Sequence, residues 1–436
     1  MSTIRIEAPE HLSGQTAAME SKSMGHRLLI AAFLSGVEIE VTNQAEDIRA
    51  TKACLAALGR TDEPLILPCR ESGSTLRFLL PLVAALGKTA VFRPEGRLGE
   101  RPLDELAAVL EEQGASIRKQ DNEIMISGRL RAGTFRLPGH VSSQYVTGLL
   151  FALPLLSADS RIEIDGELQS EPYVRMSLEV LRLAGIEVRE TGRSACFEIS
   201  GGQTFRLPAT VRVEEDWSNH AVWLAMGAIA DAPIVNASMN VQSGQGDRRI
   251  CEILRRFGAS LTSRDAAGHN AWRAPWNGRE KGVVNIDGCV DIWAQPQPLR
   301  GIEIDASQIP DLVPILSVPA VAAEGETKIY RAERLRLKES DRLEAIHTVL
   351  SQLGADVRVT RDGLLIKGTG RAATARPLRG GRVPSFGDHR IVMMAAAASL
   401  LCEGAIEIEG AEAVAKSYPH FWQECRRFGF IITEEE

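Results

Sequence analysis

The sequence lacks the features that mark membrane, secreted and zinc-binding proteins. No run approaches the roughly 18 consecutive apolar residues of a membrane helix, and residues 1–20 contain no apolar stretch typical of a secretory signal. The seven cysteines are scattered, odd in number and without a Cys-x-x-Cys pair. This pattern favours reduced thiols over disulfides or a zinc site, and we expect a cytoplasmic protein.

The motifs of several large enzyme classes are also missing. The sequence has no P-loop, no His-Glu-x-x-His, no Gly-x-Ser-x-Gly and no Gly-x-Gly-x-x-Gly. The Gly-Gln-Gly-Asp turn at 244–247 is too short to identify a nucleotide site. The net charge of −7 argues against broad binding to nucleic acid or to an anionic membrane. Any anion that the protein binds must therefore be held by a local cluster of cations.

What the sequence does contain is a recurring apolar helix with a polar start. The apolar stretches lie at 23–36, 74–87, 142–157, 218–230, 310–325 and 388–404. Each begins with a residue that favours a helix start, either an N-cap or a first-turn proline: Ser23, Ser74, Ser142, Ser218, Pro310 and Asp388. Because the helix bodies are apolar on nearly all sides, we expect them to be buried.

A second recurring element is an amphipathic helix that ends in glycine and is followed by a short alternating strand. The glycines, each expected in the left-handed conformation after the helix, are Gly59, Gly114, Gly185, Gly258, Gly354 and Gly429. The two elements alternate, so the chain consists of six copies of one α/β unit. A chain of 436 residues is too long for one core, and six units divide naturally into two domains of three.

The stretch 21–36 combines an apolar helix with a cationic, hydrogen-bonding start. Lys22 adds a charge to the positive end of the helix dipole, Ser23 is placed to cap the helix, and Arg27 lies about one turn later. This pattern is typical of an anion-binding helix N-terminus. The alternative is a capped amphipathic helix whose Lys and Arg are solvated.

Cations and hydroxyl groups gather at or beside the other helix starts as well, which indicates a ligand with several negative groups. The groups are Ser74, Thr75, Arg77, Arg97, Arg101, Ser142, Ser143, Gln144, Arg334, Arg336, Lys338, Arg342, His389, Arg390 and Lys416. Two acids stand out among these cations, Asp311 and Glu339. In a cation-lined cleft they are candidates for general acid or base, and the alternative for both is plain ion pairing.

Together these motifs resemble the 5-enolpyruvylshikimate-3-phosphate (EPSP) synthase family over nearly the whole chain, in order. The matching segments are Ser-Lys-Ser at 21–23 with Arg27, Ser-Gly-Ser-Thr-Leu-Arg at 72–77, Glu-Arg-Pro at 100–102, Ser-Ser-Gln at 142–144, Ser-Glu-Pro-Tyr at 170–173, Ile-Pro-Asp at 309–311, Leu-Lys-Glu-Ser-Asp-Arg at 337–342, Asp-His-Arg at 388–390 and Ala-Lys at 415–416.

The resemblance implies an α/β (α+β) fold, a two-domain inside-out α/β barrel of six βαβαββ repeats, three per domain. The active site is expected in the interdomain cleft. The first domain would span 14–213 and lie mainly on the shikimate 3-phosphate side. The second would comprise 1–13 and 214–436, with hinge crossings near 13–14 and 213–214.

The resemblance also implies a role for each site residue. Shikimate 3-phosphate would contact Lys22, Ser23, Arg27, Ser142, Ser143, Gln144, Ser170, Tyr173, Asp311 and Lys338. Phosphoenolpyruvate would contact Lys22, Gly73, Arg77, Arg101, Gln144, Arg342, Arg390 and Lys416. The catalytic residues would be Lys22, Asp311 and Glu339. Asp311 would take the proton of the 5-hydroxyl, Lys22 or Glu339 would protonate the methylene carbon, and Glu339 would remove a methyl proton as phosphate leaves.

The resemblance also implies that no metal or organic cofactor is needed. We expect a monomer with these small-molecule substrates and no nucleic acid or membrane partner.

Three positions depart from the family pattern. Met19 and Glu20 replace a Pro-Gly pair before the first motif, Arg334 stands where the family has an Asn, and Phe78 follows Arg77 where a smaller residue or Pro is common. These departures bear on affinity and on glyphosate sensitivity more than on the reaction.

Three rival functions fit parts of the pattern. The sister enzyme that transfers enolpyruvyl to UDP-N-acetylglucosamine usually carries a Cys or Asp in a loop on the phosphoenolpyruvate side. In this chain, the segment 93–101 has no Cys. RNA 3′-phosphate cyclase is built from similar units but needs a basic face, which the negative net charge disfavours. A non-catalytic paralogue that binds phosphorylated ligands is the third, and the presence of Lys22, Asp311, Glu339 and Arg390 argues against it.

Overall fold

The computed structural model describes residues 2–17, 19–61, 64–140, 142–191, 195–264, 289–370 and 375–435, and the chain divides into two compact units. One unit consists of Met1–Met19 with Glu214–Glu436, and the other of Glu20–Val213. The sequence-based hinge positions near 13–14 and 213–214 stay a prediction.

The described residues contain both helices and strands. The α-helices are α1 (Lys22–Ser35), α2 (Glu46–Leu58), α3 (Gly73–Ala85), α4 (Asp104–Glu112), α5 (Ser143–Ala152), α6 (Glu171–Leu183), α7 (Trp217–Ile229), α8 (Ile250–Phe257), α9 (Val313–Ala322), α10 (Arg342–Gln352), α11 (His389–Ala398) and α12 (Phe421–Arg427). Short 3₁₀ helices lie at Gly96–Glu100, Leu153–Leu155, Gly246–Arg249, Pro310–Leu312, Glu333–Leu337, Ser399–Leu401 and Ala411–Lys416.

The strands are short, as expected for repeated small sheets. They are β1 (Thr3–Glu7), β2 (Gly14–Gln15), β3 (Leu65–Arg70), β4 (Ala90–Pro94), β5 (Ala115–Gln120), β6 (Glu123–Gly128), β7 (Thr134–Pro138), β8 (Ser160–Asp165), β9 (Val188–Thr191), β10 (Cys196–Ile199), β11 (Ile234–Asn240), β12 (Ser260–Arg264), β13 (Cys289–Gln295), β14 (Glu303–Asp305), β15 (Glu326–Tyr330), β16 (Asp356–Val359), β17 (Leu364–Lys367), β18 (Gly381–Pro384), β19 (Ile406–Glu409) and β20 (Ile431–Glu435). The prediction of an α/β fold is confirmed.

The strands form four-stranded sheets of one recurring topology. Two sheets lie in the Glu20–Val213 unit, with strand orders β3-β4-β6-β5 and β7-β8-β10-β9. Three lie in the other unit, with orders β2-β11-β13-β12, β14-β15-β17-β16 and β18-β19-β1-β20. In each sheet the first pair is parallel and the remaining pairs are antiparallel. In four of these five sheets a helix follows each of the first two strands, as in the predicted βαβαββ repeat. The exception is the sheet that contains β2, whose first strand comes from Gly14–Gln15, and a sixth sheet is not found among the described residues.

The last sheet is completed by the start of the chain. Strand β1 lies between β19 and β20 and is antiparallel to both, with Ile4 opposite Ile408 and Ile6 opposite Ile432. It takes the place that the final strand of the repeat occupies in the other sheets.

Helices α1 and α2 are flanked by segments without strands. The alternation of apolar and polar residues in Thr-Phe-Arg-Leu-Pro at 204–208 predicts a strand, but no strand is assigned at 37–45 or 203–208, so this prediction is wrong. The backbone N–H of Arg206 donates to the carbonyl of Ala184, at the end of α6, and that of Leu207 donates to Ser35 Oγ at 2.9 Å. The segment therefore satisfies its backbone groups without a neighbouring strand.

The apolar helices are buried as predicted. All residues of α9 and all but one of α3 are buried. One face of each sheet packs inward, as in β3 and β8, where alternate residues are buried. These inward faces and the apolar helices build the cores, so the polar helix starts are left at the helix ends.

The predicted helix ends need four corrections. The N-caps of α1, α3 and α7 are Ser21, Ser72 and Asp216, each two residues before the serine expected from the sequence. Ser142 and Asp388 are caps as predicted. After α2, Gly59 has φ −71° instead of a left-handed conformation, because that helix ends with a hydrogen bond from Gly59 N–H to the carbonyl of Leu55.

Two properties of the described residues bear on the predicted class of protein. None of the helices in this part of the chain is both long and apolar enough to cross a membrane. All seven cysteines carry free thiols, and six of them are buried.

Candidate active site

The start of helix α1 carries the first predicted anion-binding groups. Ser21 Oγ accepts a hydrogen bond from the backbone N–H of Met24 at 3.3 Å. Ser23 lies one residue inside the helix, half-buried, and its carbonyl accepts from Arg27 Nη1 at 2.6 Å. The prediction that Ser23 caps the helix is wrong because Ser21 precedes the first helical residue, Lys22. The helix dipole at this end still favours an anion.

Lys22 forms an ion pair that the sequence did not predict. Its Nζ donates to Asp47 Oδ2 at 2.7 Å, and both side chains are 16% exposed. Asp47 lies in the first turn of α2, and its carbonyl accepts from the Thr75 hydroxyl at 3.5 Å. The starts of α1, α2 and α3 therefore lie together. An acid in the first turn of a helix is common, so nothing in the sequence marks Asp47 as the partner.

Arg27 is buried and connects helix α1 to helix α6. Its Nε donates to Ser177 Oγ at 2.9 Å and its Nη2 to the carbonyl of Tyr173 at 2.7 Å. The guanidinium lies 5.1 Å from the ring centre of Phe78, a cation–π contact. Burial lowers the pKa of Arg27 to about 9, so the group stays charged at neutral pH. Phe78, a departure from the family pattern, thus supports a predicted ligand-binding arginine.

A chain of buried hydroxyl groups links α1 to the start of α3. His26 Nδ1 lies 2.7 Å from Thr51 Oγ1, which lies 2.6 Å from Thr75 Oγ1. Thr75 in turn donates to Ser72 Oγ at 2.7 Å. Burial, together with the charges of Lys22 and Arg27, holds the pKa of His26 well below its usual range. The histidine is therefore neutral and fixes the N-cap of the helix that carries Gly73.

Gly73 opens α3 beside two arginines. A Cβ added there would lie 2.6 Å from Arg77 Nη1 and 3.1 Å from Arg101 Nη1. Arg77 Nη2 also donates to the carbonyl of Pro102 at 2.9 Å. The absence of a side chain at Gly73 lets both guanidinium groups approach the helix N-terminus, as an anion site requires.

Gln144 joins the start of α5 to this group. Its Nε2 donates to Ser74 Oγ at 3.1 Å, and its Oε1 accepts from Arg77 Nη1 at 3.3 Å. Ser142 caps the helix by accepting from the N–H of Gln144, and Ser143 is buried in the first turn. The starts of α3 and α5 are thus connected through side chains that the sequence analysis names as candidate anion-binding groups.

Ser170 and Tyr173 stand at the start of α6. Ser170 is buried and has φ 55°, in the left-handed region, where a residue other than Gly, Asn or Asp is uncommon. Tyr173 contacts Arg27 through its backbone carbonyl. The structure therefore brings Tyr173 to Arg27 by its main chain.

In the other unit, Arg342 is the centre of a carboxylate cluster. Its Nε donates to Asp388 Oδ2, its Nη1 to Asp311 Oδ1 and its Nη2 to Glu339 Oε2, each at 2.8 Å. The residue is 1% exposed. Burial opposes its charge, but Asp388, Glu339 and Asp311 outweigh that cost and raise the pKa of Arg342 above its usual range.

Asp311 collects three cations. Besides Arg342, Lys338 Nζ lies 3.3 Å from Oδ1 and Arg390 Nη2 lies 3.5 Å from Oδ2. Burial lowers the pKa of Lys338, and the Asp311 charge partly offsets this. Both predicted acids, Asp311 and Glu339, therefore bind the same guanidinium group. Ion pairing and acid–base chemistry are compatible here, because a carboxylate fixed by cations still has lone pairs to accept a proton.

Asp388 positions Arg390 and Arg342 together. It is fully buried, caps α11 by accepting from the N–H of Arg390 at 2.9 Å, and accepts from Ser340 Oγ at 3.0 Å. Lys416 is also buried, and its Nζ donates to the carbonyl of Gly387 at 2.8 Å. The starts of α10 and α11 thus gather the cations that the sequence predicted for this unit.

Of the other two departures, Glu20 has a local structural role. The Glu20 carboxylate accepts from the N–H groups of Thr42 and Asn43 at 2.6 and 3.0 Å, so it orders a loop instead of opposing the anion site. Arg334 is half-buried in the 3₁₀ helix Glu333–Leu337, and Lys338 follows the last residue of that helix.

Chemically, each unit offers a different set of groups. The Glu20–Val213 unit supplies helix N-termini, hydroxyl groups and the cations Lys22, Arg77 and Arg101. The other supplies two carboxylates held by cations. In the described ranges, no group of three or more His, Cys, Asp or Glu is placed to hold a metal ion.

Comparison with known proteins gives one consistent family. The family described as EPSP synthase (3-phosphoshikimate 1-carboxyvinyltransferase) matches residues 6–425. The 3-phosphoshikimate 1-carboxyvinyltransferase of Clostridium acetobutylicum is 37% identical, with 100% of this chain and 99% of the relative covered. That of Clostridium kluyveri is 39% identical, with 98% and 97% covered.

Solved structures share the fold at lower identity. EPSP synthase from Acinetobacter baumannii superposes with a TM-score of 0.77 at 24% identity, covering 100% of both chains. The enolpyruvyl transferase NikO from Streptomyces tendae has a TM-score of 0.72 at 19% identity, covering 99% of both chains.

Proposed function

Because the chain belongs to the EPSP synthase family, we propose that it is the enzyme that transfers the enolpyruvyl (1-carboxyvinyl) group from phosphoenolpyruvate to the 5-hydroxyl of 3-phosphoshikimate. Phosphate is released, and the product serves aromatic amino acid biosynthesis by way of chorismate. The observation that carries the proposal is that Arg342 binds Asp311 and Glu339 at once, beside Lys338 and Arg390.

The reaction proceeds by addition and elimination. Asp311 accepts the proton of the 5-hydroxyl while the hydroxyl oxygen forms a bond to C2 of phosphoenolpyruvate. Lys22 or Glu339 protonates the methylene carbon. In the tetrahedral intermediate, Glu339 then removes a methyl proton while the bond from C2 to the phosphate oxygen breaks. Fixed cations stabilise the carboxylate and both phosphates throughout.

The two sets of site residues have distinct roles in this proposal. Shikimate 3-phosphate contacts Lys22, Ser23, Arg27, Ser142, Ser143, Gln144, Ser170, Tyr173, Asp311 and Lys338. Phosphoenolpyruvate contacts Lys22, Gly73, Arg77, Arg101, Gln144, Arg342, Arg390 and Lys416. The proposal includes the two-domain inside-out barrel with an interdomain active site, supported by the βαβαββ sheets. It also includes a cytoplasmic monomer without nucleic acid or membrane partners.

The direct test is phosphate release from phosphoenolpyruvate, measured with 3-phosphoshikimate, with UDP-N-acetylglucosamine, and with neither. We expect phosphate release only when 3-phosphoshikimate is the acceptor. Release only with the nucleotide sugar would identify the sister activity. If folded protein that binds 3-phosphoshikimate releases no phosphate with either acceptor, it is a binding protein.

In the same assay, Glu339→Gln should keep 3-phosphoshikimate binding and lower kcat by roughly 10²-fold or more. An unchanged rate would remove Glu339 from the mechanism.

Substituting Gly73 by Ala should raise the KM for phosphoenolpyruvate by about 10-fold and leave the KM for 3-phosphoshikimate nearly unchanged, since 1.4 kcal/mol of lost binding is a factor of ten. The added Cβ would lie 2.6 Å from Arg77 Nη1, so the flexible guanidinium ends must move from their positions. Steady-state kinetics with each substrate varied in turn measures this change.

The matched control is Gly59→Ala, in the same unit. Gly59 has φ −71°, and the nearest atom to an added Cβ is 3.6 Å away, so both KM values should stay at the wild-type level. Wild-type KM for phosphoenolpyruvate in Gly73→Ala would show that Arg77 and Arg101 do not bind this substrate.

A further inference from the structure

A buried tyrosine without an assigned role lies beside the two arginines that approach Gly73. Tyr145 is in the first turn of α5 and is 1% exposed. Its hydroxyl donates a hydrogen bond to the carbonyl of Pro102 at 2.7 Å. Pro102 directly follows Arg101, one of the two arginines at Gly73. The tyrosine hydroxyl thus reaches the backbone next to a group proposed to bind phosphoenolpyruvate.

The carbonyl of Pro102 is held by two donors. Arg77 Nη2 donates to the same oxygen at 2.9 Å, so both lone pairs of this carbonyl have a donor. The Arg77 guanidinium also lies 6.0 Å from the ring centre of Tyr145, at the distance of a cation–π contact. Tyr145 therefore contacts Arg77 directly and reaches Arg101 through Pro102.

The backbone between Arg101 and the Pro102 carbonyl has little freedom. A proline ring fixes the φ angle of its own residue, and it restricts the residue before it to extended conformations. Arg101 has such a conformation, with φ −69° and ψ 147°, and its N–H donates to the carbonyl of Leu98 at 3.3 Å. Because few torsions can change, a fixed Pro102 carbonyl also fixes the direction in which the Arg101 side chain leaves the backbone.

The phenol of Tyr145 stays a hydrogen-bond donor throughout the neutral pH range. Burial is the main cause that raises the pKa of Tyr145 to about 12; Arg77 lowers this pKa and Glu105 raises it. The hydroxyl group therefore keeps its proton, and its hydrogen bond to Pro102 does not depend on pH near neutrality.

We propose that Tyr145 is a positioning residue for the reaction proposed above, on which this inference rests: its hydroxyl holds Arg101, through the Pro102 carbonyl, where this arginine binds phosphoenolpyruvate. Arg77 keeps its place without the hydroxyl, because Gln144 Oε1 and the Pro102 carbonyl remain as its acceptors. Loss of the hydroxyl should therefore weaken phosphoenolpyruvate binding through Arg101 alone. Tyr145 itself needs no contact with the substrate.

The test is steady-state kinetics, with each substrate varied in turn, for wild type, Tyr145→Phe, Arg101→Ala and the double variant. Phenylalanine keeps the buried ring and removes only the hydroxyl. We expect Tyr145→Phe to raise the KM for phosphoenolpyruvate about fivefold, the factor that corresponds to a hydrogen bond of about 1 kcal/mol. The kcat and the KM for 3-phosphoshikimate should stay near wild type. In the Arg101→Ala background, the same substitution should leave the KM for phosphoenolpyruvate unchanged, because the arginine that Tyr145 positions is gone.

Tyr418→Phe is the matched control. Tyr418 is also buried, and its hydroxyl accepts a hydrogen bond from Trp223 Nε1 at 3.2 Å. Loss of this hydroxyl should lower the unfolding midpoint and leave both KM values at the wild-type level, as expected for a tyrosine with only a structural role. If Tyr145→Phe raised the KM for phosphoenolpyruvate equally in the wild-type and Arg101→Ala backgrounds, Tyr145 would not act through Arg101.

The outcomes separate the two proposals. Absence of phosphate release by wild type overturns the proposed function and this inference with it. An active wild type, with an unchanged KM for phosphoenolpyruvate in Tyr145→Phe, overturns the inference alone. If Tyr145→Phe fails to fold, as judged by circular dichroism, Pro102→Ala decides. This variant keeps the carbonyl but frees the torsions that link it to Arg101, so an unchanged KM for phosphoenolpyruvate contradicts the inference.

Discussion

Replacing Asp311 with Asn should lower kcat by about 10³-fold, within the range for a lost general base. Asparagine keeps the shape of the side chain but cannot accept the proton of the 5-hydroxyl. Lys338, Arg342 and Arg390 lose the carboxylate that they share, so the KM values should change as well. Single-turnover measurement of phosphate release isolates the chemical step from binding.

Asp305→Asn is the matched control for this variant. Asp305 lies six positions earlier, also binds an arginine, Arg331, at 2.8 Å, and is 33% exposed. Its loss should leave kcat within about threefold of wild type, since substitutions of exposed residues usually have small effects. If Asp311→Asn retained such a rate too, a different group would have to accept the hydroxyl proton.

The second large effect is on stability. Arg342→Ala should lower the free energy of unfolding by about 3–5 kcal/mol, the cost of leaving buried charges without their partner. Asp388 is 0% exposed and Asp311 15% exposed, and both lose a hydrogen-bonded cation at once. Urea unfolding at neutral pH, followed by tryptophan fluorescence, measures the change.

Arg336 provides the comparison, since it also binds two carboxylates. Its Nη1 lies 3.0 Å from Asp341 and 3.4 Å from Glu344, and its side chain is 32% exposed. Solvent weakens such pairs, so Arg336→Ala should cost less than about 1 kcal/mol. Equal losses for the two variants would mean that the buried cluster contributes no more than a surface ion pair.

The repeats could be read from the sequence because their signals are local. Apolar helices, glycine ends and alternating strands each depend on a few neighbouring residues. The described residues have the predicted buried helices and five of the six predicted sheets. The predicted chemistry was also local: Glu339 and Arg342 lie three residues apart, and Asp388 and Arg390 two apart.

The errors have equally specific causes. Ser21 and Ser23, like Ser72 and Ser74, offer two possible caps, and the backbone decides which hydroxyl reaches a free N–H group. The pairing of Lys22 with Asp47 depends on a tertiary contact between helices α1 and α2. No pattern in a single sequence encodes such a contact, so the sequence does not predict this partner.

The position of β1 between β19 and β20 has a consequence for biosynthesis. Both partners of β1 are synthesised long after it, because β19 and β20 lie about 400 residues further along the chain. At about 5–20 residues per second, β1 waits roughly 20–90 s for both neighbours, with two unpaired edges of the kind that invite aggregation. The Glu20–Val213 unit, continuous in sequence, has all its strands long before then. The sheet that contains β1 can therefore form only after β19 and β20 have been synthesised, whereas each sheet of the Glu20–Val213 unit forms from neighbouring segments of the chain.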